Sequence, residues 1–210
     1  MNVLIVGANN RTGQRVLELL NKSSHQAYCL VHDENLASLV RSLGAEPMFG
    51  EITDSLQLEG MHAVIYAVDV ANPSIHDTIS HVTQHGAIHF IRECEKAGIE
   101  RFVMLSSVYA DKPDEAPCVL YSLLEETRMT EDYLTGSSRL KYTIVRPGKM
   151  IDTDGTFKIL AAESIDDDGM ISRNEVAQVL VDTLETDTTF NKKFYCIEGP
   201  FPIKEALAEV

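Results

Sequence analysis

The sequence predicts an α/β fold with a doubly wound parallel sheet and helices on both faces. Three observations predict it: short apolar runs alternate with longer segments of helical spacing, the alternation covers nearly all of the 210 residues, and a glycine-containing turn follows the first apolar run. Repeated β–α units of this length form parallel sheets joined by right-handed crossovers. Such sheets bind ligands beyond the carboxyl ends of their strands, so we expect the functional residues there.

The individual elements follow from the hydrophobic pattern. Residues 3–6, Val-Leu-Ile-Val, form a continuous apolar run of the kind found in a strand buried on both faces. Residues 11–21 place Val16, Leu19 and Leu20 on one helical face. The same reasoning predicts strands at 28–31, 47–49, 63–67, 102–105, 142–145 and 193–197, helices at 36–43, 75–97, 120–134, 175–184 and 203–210, and a proline-containing loop at 111–117.

Composition narrows the class of protein. The chain has 18 basic and 32 acidic residues, so its formal net charge is −14. This charge repels a polyphosphate backbone and argues against nucleic-acid binding. No apolar run approaches the roughly 18 residues that cross a bilayer, so we expect no membrane contact and a cytoplasmic location. We expect one domain over residues 1–210, with residues 149–210 contributing a small lobe on the substrate side.

Two patterns imitate metal sites, but we expect no metal. His81, His85 and His89 recur at four-residue spacing on one predicted helix, without an acidic or cysteine ligand placed beside them. Residues 164–175 carry acidic side chains at the spacing of a calcium loop, but Ser164 stands at the first ligand position and a partner loop is missing. The simpler interpretations are a helix face packed against a neighbour and an acidic loop.

The turn after the first strand carries the main functional signal. Residues 7–13 read Gly-Ala-Asn-Asn-Arg-Thr-Gly. At this position, backbone N–H groups and the positive end of a helix can bind a diphosphate. Gly7 permits a tight turn, and Gly13 permits close packing of the helix on the strand. Asn10 stands where the common form has a glycine, and we expect the left-handed conformation there, which asparagine tolerates. The alternative is a plain βα turn.

Later segments strengthen this interpretation. They read Gly-Glu-Ile-Thr-Asp at 50–54, Ser-Ser at 106–107, Tyr-Thr-Ile-Val-Arg-Pro-Gly at 142–148 and Ile-Ser-Arg-Asn-Glu-Val-Ala at 171–177. In this order, and together with the first turn, they resemble the atypical short-chain dehydrogenase/reductase superfamily, in its NAD(P)H-binding, NmrA-like or NAD-dependent epimerase/dehydratase-like branch. The resemblance spans nearly the whole chain and implies a Rossmann-type fold.

The resemblance also implies which residues surround the cofactor. The first turn would hold the diphosphate, and later segments would contact the adenine, the ribose on the nicotinamide side and the nicotinamide, in that order. The implied contacts are Gly7, Asn9, Asn10, Arg11, Thr12 and Gly13; Glu51 and Ile52; Ala67 and Val68; and the backbone of Pro147 and Gly148.

The end of the second strand selects between NADP and NAD in that family. An acidic side chain there accepts from the ribose 2′-hydroxyl, whereas an arginine pairs with a 2′-phosphate. This chain has His32 and Asp33, and the resemblance implies that Arg11 can reach a 2′-phosphate. We favour NADP and leave NAD open. The alternative is that His32 and Asp33 belong to a solvated loop.

The catalytic positions depart from the family pattern. Orthodox members use a serine with a Tyr-x-x-x-Lys pair, in which the lysine activates the tyrosine. Ser107 matches the serine and is the candidate catalytic residue. The paired positions fall on Leu123 and Thr127, and the nearest tyrosine, Tyr121, has Glu125 where a lysine is needed. We therefore expect the standard proton relay to be missing.

Two functions of different classes fit this pattern. The first is an NAD(P)H-binding oxidoreductase that transfers hydride to a small acceptor of flavin, quinone or carbonyl type, with Ser107 hydrogen-bonding the acceptor oxygen. The second is a non-catalytic NAD(P)-sensing regulatory protein. A sugar-nucleotide epimerase fits less well, because it needs the missing pair. Tyr109 and Lys149 are reserve acid–base candidates. The expected partner is a small-molecule substrate or acceptor, and a homodimer is compatible with the sequence.

Overall fold

The computed structural model describes residues 1–68, 84–166 and 169–210. The strands are β1 Asn2–Val6, β2 Gln26–Val31, β3 Glu46–Phe49, β4 Ala63–Tyr66, β5 Arg101–Leu105, β6 Lys141–Pro147, β7 Lys149–Ile151, β8 Lys158–Ala162, β9 Met170–Ser172, β10 Lys192–Glu198 and β11 Phe201–Pro202. The helices are α1 Arg11–Asn21, α2 Glu34–Ser42, α3 Gln84–Lys96, α4 Tyr121–Gly136, α5 Arg173–Asp182 and α6 Ile203–Ala208.

The central sheet has nine strands in the order β11-β8-β10-β6-β5-β4-β1-β2-β3. Seven neighbouring strands pair in parallel, in the spatial order β10-β6-β5-β4-β1-β2-β3. β8 pairs antiparallel with both β10 and β11. The parallel order 3-2-1-4-5-6 is that of a Rossmann fold, which confirms the predicted fold class. The strand order reverses between β1 and β4, so the carboxyl ends of these two strands mark the crevice where such sheets bind ligands.

Each face of the sheet is covered by its own helices. One apolar cluster joins α1, α2, α5 and α6 to the sheet, and a second joins α3 and α4 to it. In the second cluster, Tyr66, Phe90 and Phe102 lie with ring centroids 6.1–6.3 Å apart. Because both faces are buried, the inner strands are apolar throughout, as the run at residues 3–6 predicted.

The sequence predicted the main elements but missed several short strands. The predicted helix at 75–97 has its described part at Gln84–Lys96, and residues 75–83 lie outside the described residues. The missed strands are β7, β8, β9 and β11, which have between two and five residues each. Strands this short carry too little periodicity to stand out from a loop. Along the described parts of the chain, no helix combines the length and apolarity that crossing a membrane requires.

The four cysteines differ sharply in burial. Cys29, Cys94 and Cys196 are buried, whereas Cys118 is exposed just before α4. Burial raises the pKa of the Cys29 thiol to about 12 and also raises the pKa of the Cys94 and Cys196 thiols. The reactive thiolate is therefore strongly disfavoured at the three buried positions.

We predict that Ellman's reagent at pH 8 titrates one fast thiol in the native protein and four after denaturation in guanidinium chloride. The fast thiol is Cys118, so Cys118→Ser removes that phase and leaves three thiols that react only on unfolding. Two or more fast thiols in the native protein would contradict the burial of the other three.

Candidate dinucleotide-binding site

The turn between β1 and α1 packs directly against the end of β4. Gly7 has φ of 114°, and a Cβ there would lie 2.5 Å from the Ala67 carbonyl oxygen. A Cβ at Gly13 would lie 2.2 Å from the carbonyl oxygen of Gly7. Both positions therefore exclude any side chain, for two separate reasons: the close approach to β4 and the packing of α1 on the turn.

Asn10 holds this turn in place with its side chain. Its Oδ1 accepts from the Gly13 N–H at 2.9 Å, which caps α1, and its Nδ2 donates to the Ala67 carbonyl at 2.7 Å. Its backbone is extended, with φ of −113° and ψ of 163°. The expectation of a left-handed Asn10 was therefore wrong: an N-cap residue needs an extended backbone so that its side chain can reach back to the helix. The side chain is buried, so it does not fill the space above the turn.

The first turn of α1 presents unused N–H donors. Among the described residues, no protein group accepts a hydrogen bond from the backbone N–H of Asn9, Arg11 or Thr12. The positive end of the helix dipole lies at the same place. The buried Thr12 hydroxyl donates to Met150 Sδ at 3.9 Å and accepts from Arg173 Nη1 at 3.4 Å. Thr12 can therefore offer its backbone, but not its side chain, to a diphosphate.

A cavity of about 360 Å³ opens beside the turn, between α1 and the end of β2. Asp33 borders it, but its Oδ1 accepts from the Leu36 N–H at 2.8 Å and so caps α2. His32 Nε2 lies 3.5 Å from the other oxygen of that carboxylate. Arg11 does not line the cavity, because its guanidinium points toward Asp152 instead. The lining residues are Asn9, Gln14, His32, Asp33, Asn35, Leu36 and Leu39.

The segment expected beside the adenine follows β3. Asp54 Oδ2 accepts from the Glu51 N–H at 2.8 Å, and the Asp54 N–H donates to the Glu51 carbonyl at 3.0 Å. Asp54 therefore closes this turn. Ile52 is buried in the apolar cluster under α3 and α4, whereas Glu51 is exposed. Contact of Glu51 and Ile52 with adenine stays a prediction.

The ends of β4 and β6 form the other half of the crevice. The Ala67 N–H donates to the Val6 carbonyl at 2.8 Å, and Val68 is half-buried. At the end of β6, the Pro147 carbonyl accepts from the Val108 N–H at 3.1 Å, and the Gly148 N–H donates to the Cys196 carbonyl at 3.0 Å. These hydrogen bonds fix the backbone that we expect to face the nicotinamide.

The two serines after β5 have different roles. Ser106 is buried, and its hydroxyl donates to Glu131 Oε1 at 2.5 Å. Ser107 is half-buried, and within the described part of the chain its hydroxyl has no protein hydrogen-bond partner. Ser107 is thus the serine whose hydroxyl is available to a ligand at the carboxyl end of the sheet.

The helix that carries the proton relay in orthodox relatives is α4. The Thr127 hydroxyl donates to the Leu123 carbonyl at 2.8 Å, so the two paired positions bond to each other within the helix. Glu125 pairs with Arg128 at 3.0 Å, and Tyr121 is exposed. α4 contains no lysine. The helix therefore offers no tyrosine–lysine pair.

A buried charged network, which the sequence did not predict, lies under the loop after β5. Arg146 Nη2 lies 2.5 Å and its Nε 3.2 Å from the two oxygens of Glu131. The Arg146 Nη1 group donates to the Tyr195 hydroxyl at 2.9 Å and lies 3.1 Å from Asp111. The Tyr195 hydroxyl donates to Asp111. The network therefore joins β6, α4, β10 and the loop, and with the Ser106–Glu131 bond it fixes the end of β5.

The protonation states of this network are set by burial and by its partners. Burial disfavours the charged guanidinium of Arg146, but its hydrogen bonds and its attraction to Glu131 and Asp111 outweigh burial and raise its pKa. Burial and the hydrogen bond to Asp111 raise the pKa of Tyr195 to about 12. An activated catalytic tyrosine needs a lowered pKa, so Tyr195 does not replace the missing relay.

The two metal-like patterns are engaged in other contacts. His89 Nε2 lies 3.2 Å from the Asp54 carbonyl oxygen. The Glu175 carboxylate accepts from the N–H groups of Ser172 at 3.0 Å and Thr156 at 2.8 Å, so it serves as a helix cap. Among the residues with described positions, no three potential metal ligands of His, Cys, Asp or Glu come together. His81 and residues 167–168 lie outside that set.

The fold, the glycine turn and the open N–H donors together define an NAD(P)-binding, oxidoreductase-like protein of the short-chain dehydrogenase/reductase class. The chain belongs to the NAD(P)H-binding family, whose sequence profile matches residues 7–187. This confirms the family resemblance drawn from the motifs.

Relatives of known sequence and structure agree with this assignment. The chain is 29% identical over 216 residues to the uncharacterized sugar epimerase YhfK of Bacillus subtilis strain 168, with all of both chains covered. It matches the structure of a candidate NAD-dependent epimerase/dehydratase from Bacillus halodurans at 30% identity and a TM-score of 0.90, with full coverage of both chains. A candidate NADH–flavin reductase from Streptococcus pneumoniae TIGR4 shares the fold at 20% identity and a TM-score of 0.73, with coverage of 95% and 100%.

We predict that Gly7→Ala destabilises the protein more than Gly60→Ala. Gly60 is the matched control because its φ is also positive, at 84°, but nothing lies within 4 Å of a Cβ there. The clash with Ala67 should lower the free energy of unfolding by about 1–3 kcal/mol beyond the dihedral cost that both variants share. Urea denaturation measures both values. Equal losses would show that the turn does not pack on β4 this closely.

Proposed function

We propose that the protein is an NAD(P)H-dependent oxidoreductase that transfers hydride to a small acceptor of flavin, quinone or carbonyl type. The observation that carries the proposal is the available Ser107 hydroxyl at the carboxyl end of β5, with no tyrosine–lysine pair on α4. The donor set fits a dinucleotide, because N–H groups at the start of α1 have no acceptor among the residues that the structure describes and a Cβ at Gly7 would clash. We also propose that residues 1–210 form one domain, in which residues 149–210 contribute a small lobe on the substrate side.

Each of these groups has a separate role in the proposed reaction. When bound, the reduced nicotinamide supplies the hydride. The turn at residues 7–13 holds the diphosphate, and the Ser107 hydroxyl donates a hydrogen bond to the acceptor oxygen, where negative charge develops. Flavins and quinones delocalise that charge and take their proton from water, so these acceptors do not require a tyrosine relay. This is why a conjugated acceptor suits the site better than a simple alcohol–ketone pair.

The names of similar proteins bear on the choice of acceptor. The candidate flavin reductase has an acceptor of the proposed type, although at its identity the likeness supports the fold alone. The name of YhfK suggests a sugar epimerase. Epimerisation through a keto intermediate needs a base that removes a hydroxyl proton, and positions 123 and 127 carry leucine and threonine. The site therefore favours a reductase over an epimerase.

For the cofactor, we propose a preference for NADPH. The Asp33 carboxylate caps α2 and is not free to bind a ribose diol in the usual way. His32 faces the cavity beside the turn, and the amino end of α2 lies against the same cavity. A 2′-phosphate there would meet a histidine and the positive end of a helix.

A second function, dinucleotide sensing without catalysis, is favoured by one observation. The tyrosine in the buried network, Tyr195, has a raised pKa, and α4 has no lysine, so neither of them supplies an activated acid. A sensor binds NADPH tightly and does not oxidise it with any acceptor.

We predict that the protein oxidises NADPH with at least one member of a flavin and quinone panel. Ser107→Ala should lower kcat/KM about 10–100-fold, because one hydrogen bond to developing charge is lost. The control is Ser137→Ala, an exposed serine after α4 at the opposite edge of the sheet, which should leave the rate unchanged. Tight NADPH binding without turnover across the panel would favour the sensor.

We predict that NADPH binds more tightly than NADH and that His32→Ala reduces this preference about tenfold, since a charge-assisted hydrogen bond is lost. The control is His62→Ala, because His62 contacts the Asn2 N–H at the amino edge of the sheet, away from the cavity. Isothermal titration calorimetry gives the six dissociation constants, for both coenzymes with the wild type and each of the two variants. Equal affinity for the two coenzymes would contradict the proposed preference.

A further inference from the structure

A cluster of arginines next to the turn surrounds one carboxylate. Asp152 follows β7, and its carboxylate lies 2.5 Å from Arg11 Nη1, 3.6 Å from Arg15 Nη2 and 3.4 Å from Arg173 Nε. Arg11 and Arg15 lie one turn apart on α1, and Arg173 is the first residue of α5. Guanidinium groups from the amino ends of two helices therefore converge on a single loop carboxylate.

The need for a stable fold does not explain why Arg11, the most exposed of the three arginines, points to this carboxylate. The side chains of Arg11 and Asp152 are 66% and 39% exposed. Ion pairs this exposed add little to stability because water and salt screen them. The arrangement instead has the chemistry of an anion site, since three cations and the positive ends of two helices meet in a chain whose net charge is −14.

The residues of the cluster do not line the cavity that His32 borders. β7 and β9 are parallel, so their carboxyl ends bring Asp152 and Arg173 together against the first turn of α1. The contacts of Arg173 with Thr12 and of Thr12 with Met150 continue this interface. The anion site therefore lies between α1 and the segment proposed to form the substrate side.

The loop after Asp152 is held without the help of its carboxylate. Asn174 Nδ2 donates to the Thr153 carbonyl at 3.2 Å, and Glu175 Oε1 accepts from the Thr156 N–H at 2.8 Å. Asp152 can thus rotate away from the arginines while the loop backbone keeps its anchors to α5. A carboxylate in this position can be displaced by a ligand that carries the same charge.

We propose that Asp152 is an internal stand-in for an anionic group of the acceptor, and that a phosphate or carboxylate on the acceptor replaces it against Arg11, Arg15 and Arg173. Arginine binds both groups through paired N–H···O bonds. The inference rests on the proposed function and adds the substrate class, an acceptor with an anionic tail. The diphosphate of the dinucleotide has the same chemistry, but it is assigned to the backbone N–H groups of the turn.

Flavin mononucleotide and riboflavin test the proposal, because they share the reacting ring and differ by one phosphate. Their dissociation constants are measured by quenching of flavin fluorescence with saturating NADP⁺ present. We expect flavin mononucleotide to bind about tenfold more tightly than riboflavin. Arg11→Gln keeps the backbone N–H of residue 11 and should abolish the difference between the two flavins. Asp152→Asn should widen that difference. Arg41→Gln, which alters an exposed arginine paired with Glu34 on α2, should change neither constant.

The outcomes separate this inference from the proposed function. Equal dissociation constants for the two flavins, or no binding of either, overturn the anion site. If Asp152→Asn tightens NADPH binding and leaves flavin mononucleotide unaffected, the anion is the diphosphate and the acceptor assignment is overturned. Selective binding of flavin mononucleotide without NADPH oxidation supports the anion site. That result contradicts only the proposed oxidoreductase function. Circular dichroism of each variant checks that the fold is kept.

Discussion

The site depends on the close approach of the Gly7 turn to the end of β4. Because a Cβ at Gly7 would lie 2.5 Å from the Ala67 carbonyl oxygen, the turn can pass there only without a side chain. The carbonyl it passes is itself bonded to the Asn10 amide, and the other end of that amide caps α1. One side chain therefore sets both the position of the turn and the start of the helix. The N–H donors at the start of α1, which have no acceptor in the described part of the protein, lie beside the turn that this side chain positions.

The loop after β5 is stabilised by a different kind of interaction. Arg146 is buried against Glu131, and breaking a buried pair leaves an uncompensated charge, which costs about 3–5 kcal/mol. The pair fixes β6 relative to α4, and its contact with Asp111 holds the loop that follows Ser107. Arg146 and Glu131 thus form an ion pair in the interior, while Asp152 and Arg11 meet at the surface near the turn.

The sequence could predict what depends on near neighbours in the chain. The strand at residues 3–6, the helix at 11–21 and the glycine turn between them follow from spacing and residue type alone, and the structure contains all three. The role of Asn10 could not be predicted in the same way, because its partner Ala67 lies 57 residues away. A left-handed Asn10 was a reasonable expectation for a glycine substitute, but an acceptor carbonyl within reach favours the extended N-cap instead.

The same limit applies to the charged networks. Arg146 belongs to a motif that the sequence singled out, yet its partners Glu131 and Tyr195 lie 15 and 49 residues from it. Arg11 was expected at the 2′-phosphate because of its place in the turn, whereas its side chain turns to Asp152, 141 residues away. Motif spacing predicts where the backbone of a residue lies. A long charged side chain, however, turns toward the oppositely charged groups that folding brings near it. Ser106 and Ser107 likewise differ in role because Glu131 lies where it accepts a hydrogen bond from the Ser106 hydroxyl.

The most direct test of the central claim is a crystal structure of the protein with bound NADPH. We expect diphosphate oxygens within about 3 Å of the backbone N–H groups of Arg11 and Thr12, with the Asn10 amide still bonded to Ala67. A complex in which the diphosphate binds elsewhere, or in which Asn10 must leave Ala67 to admit it, would contradict the assignment of the diphosphate to the turn at residues 7–13.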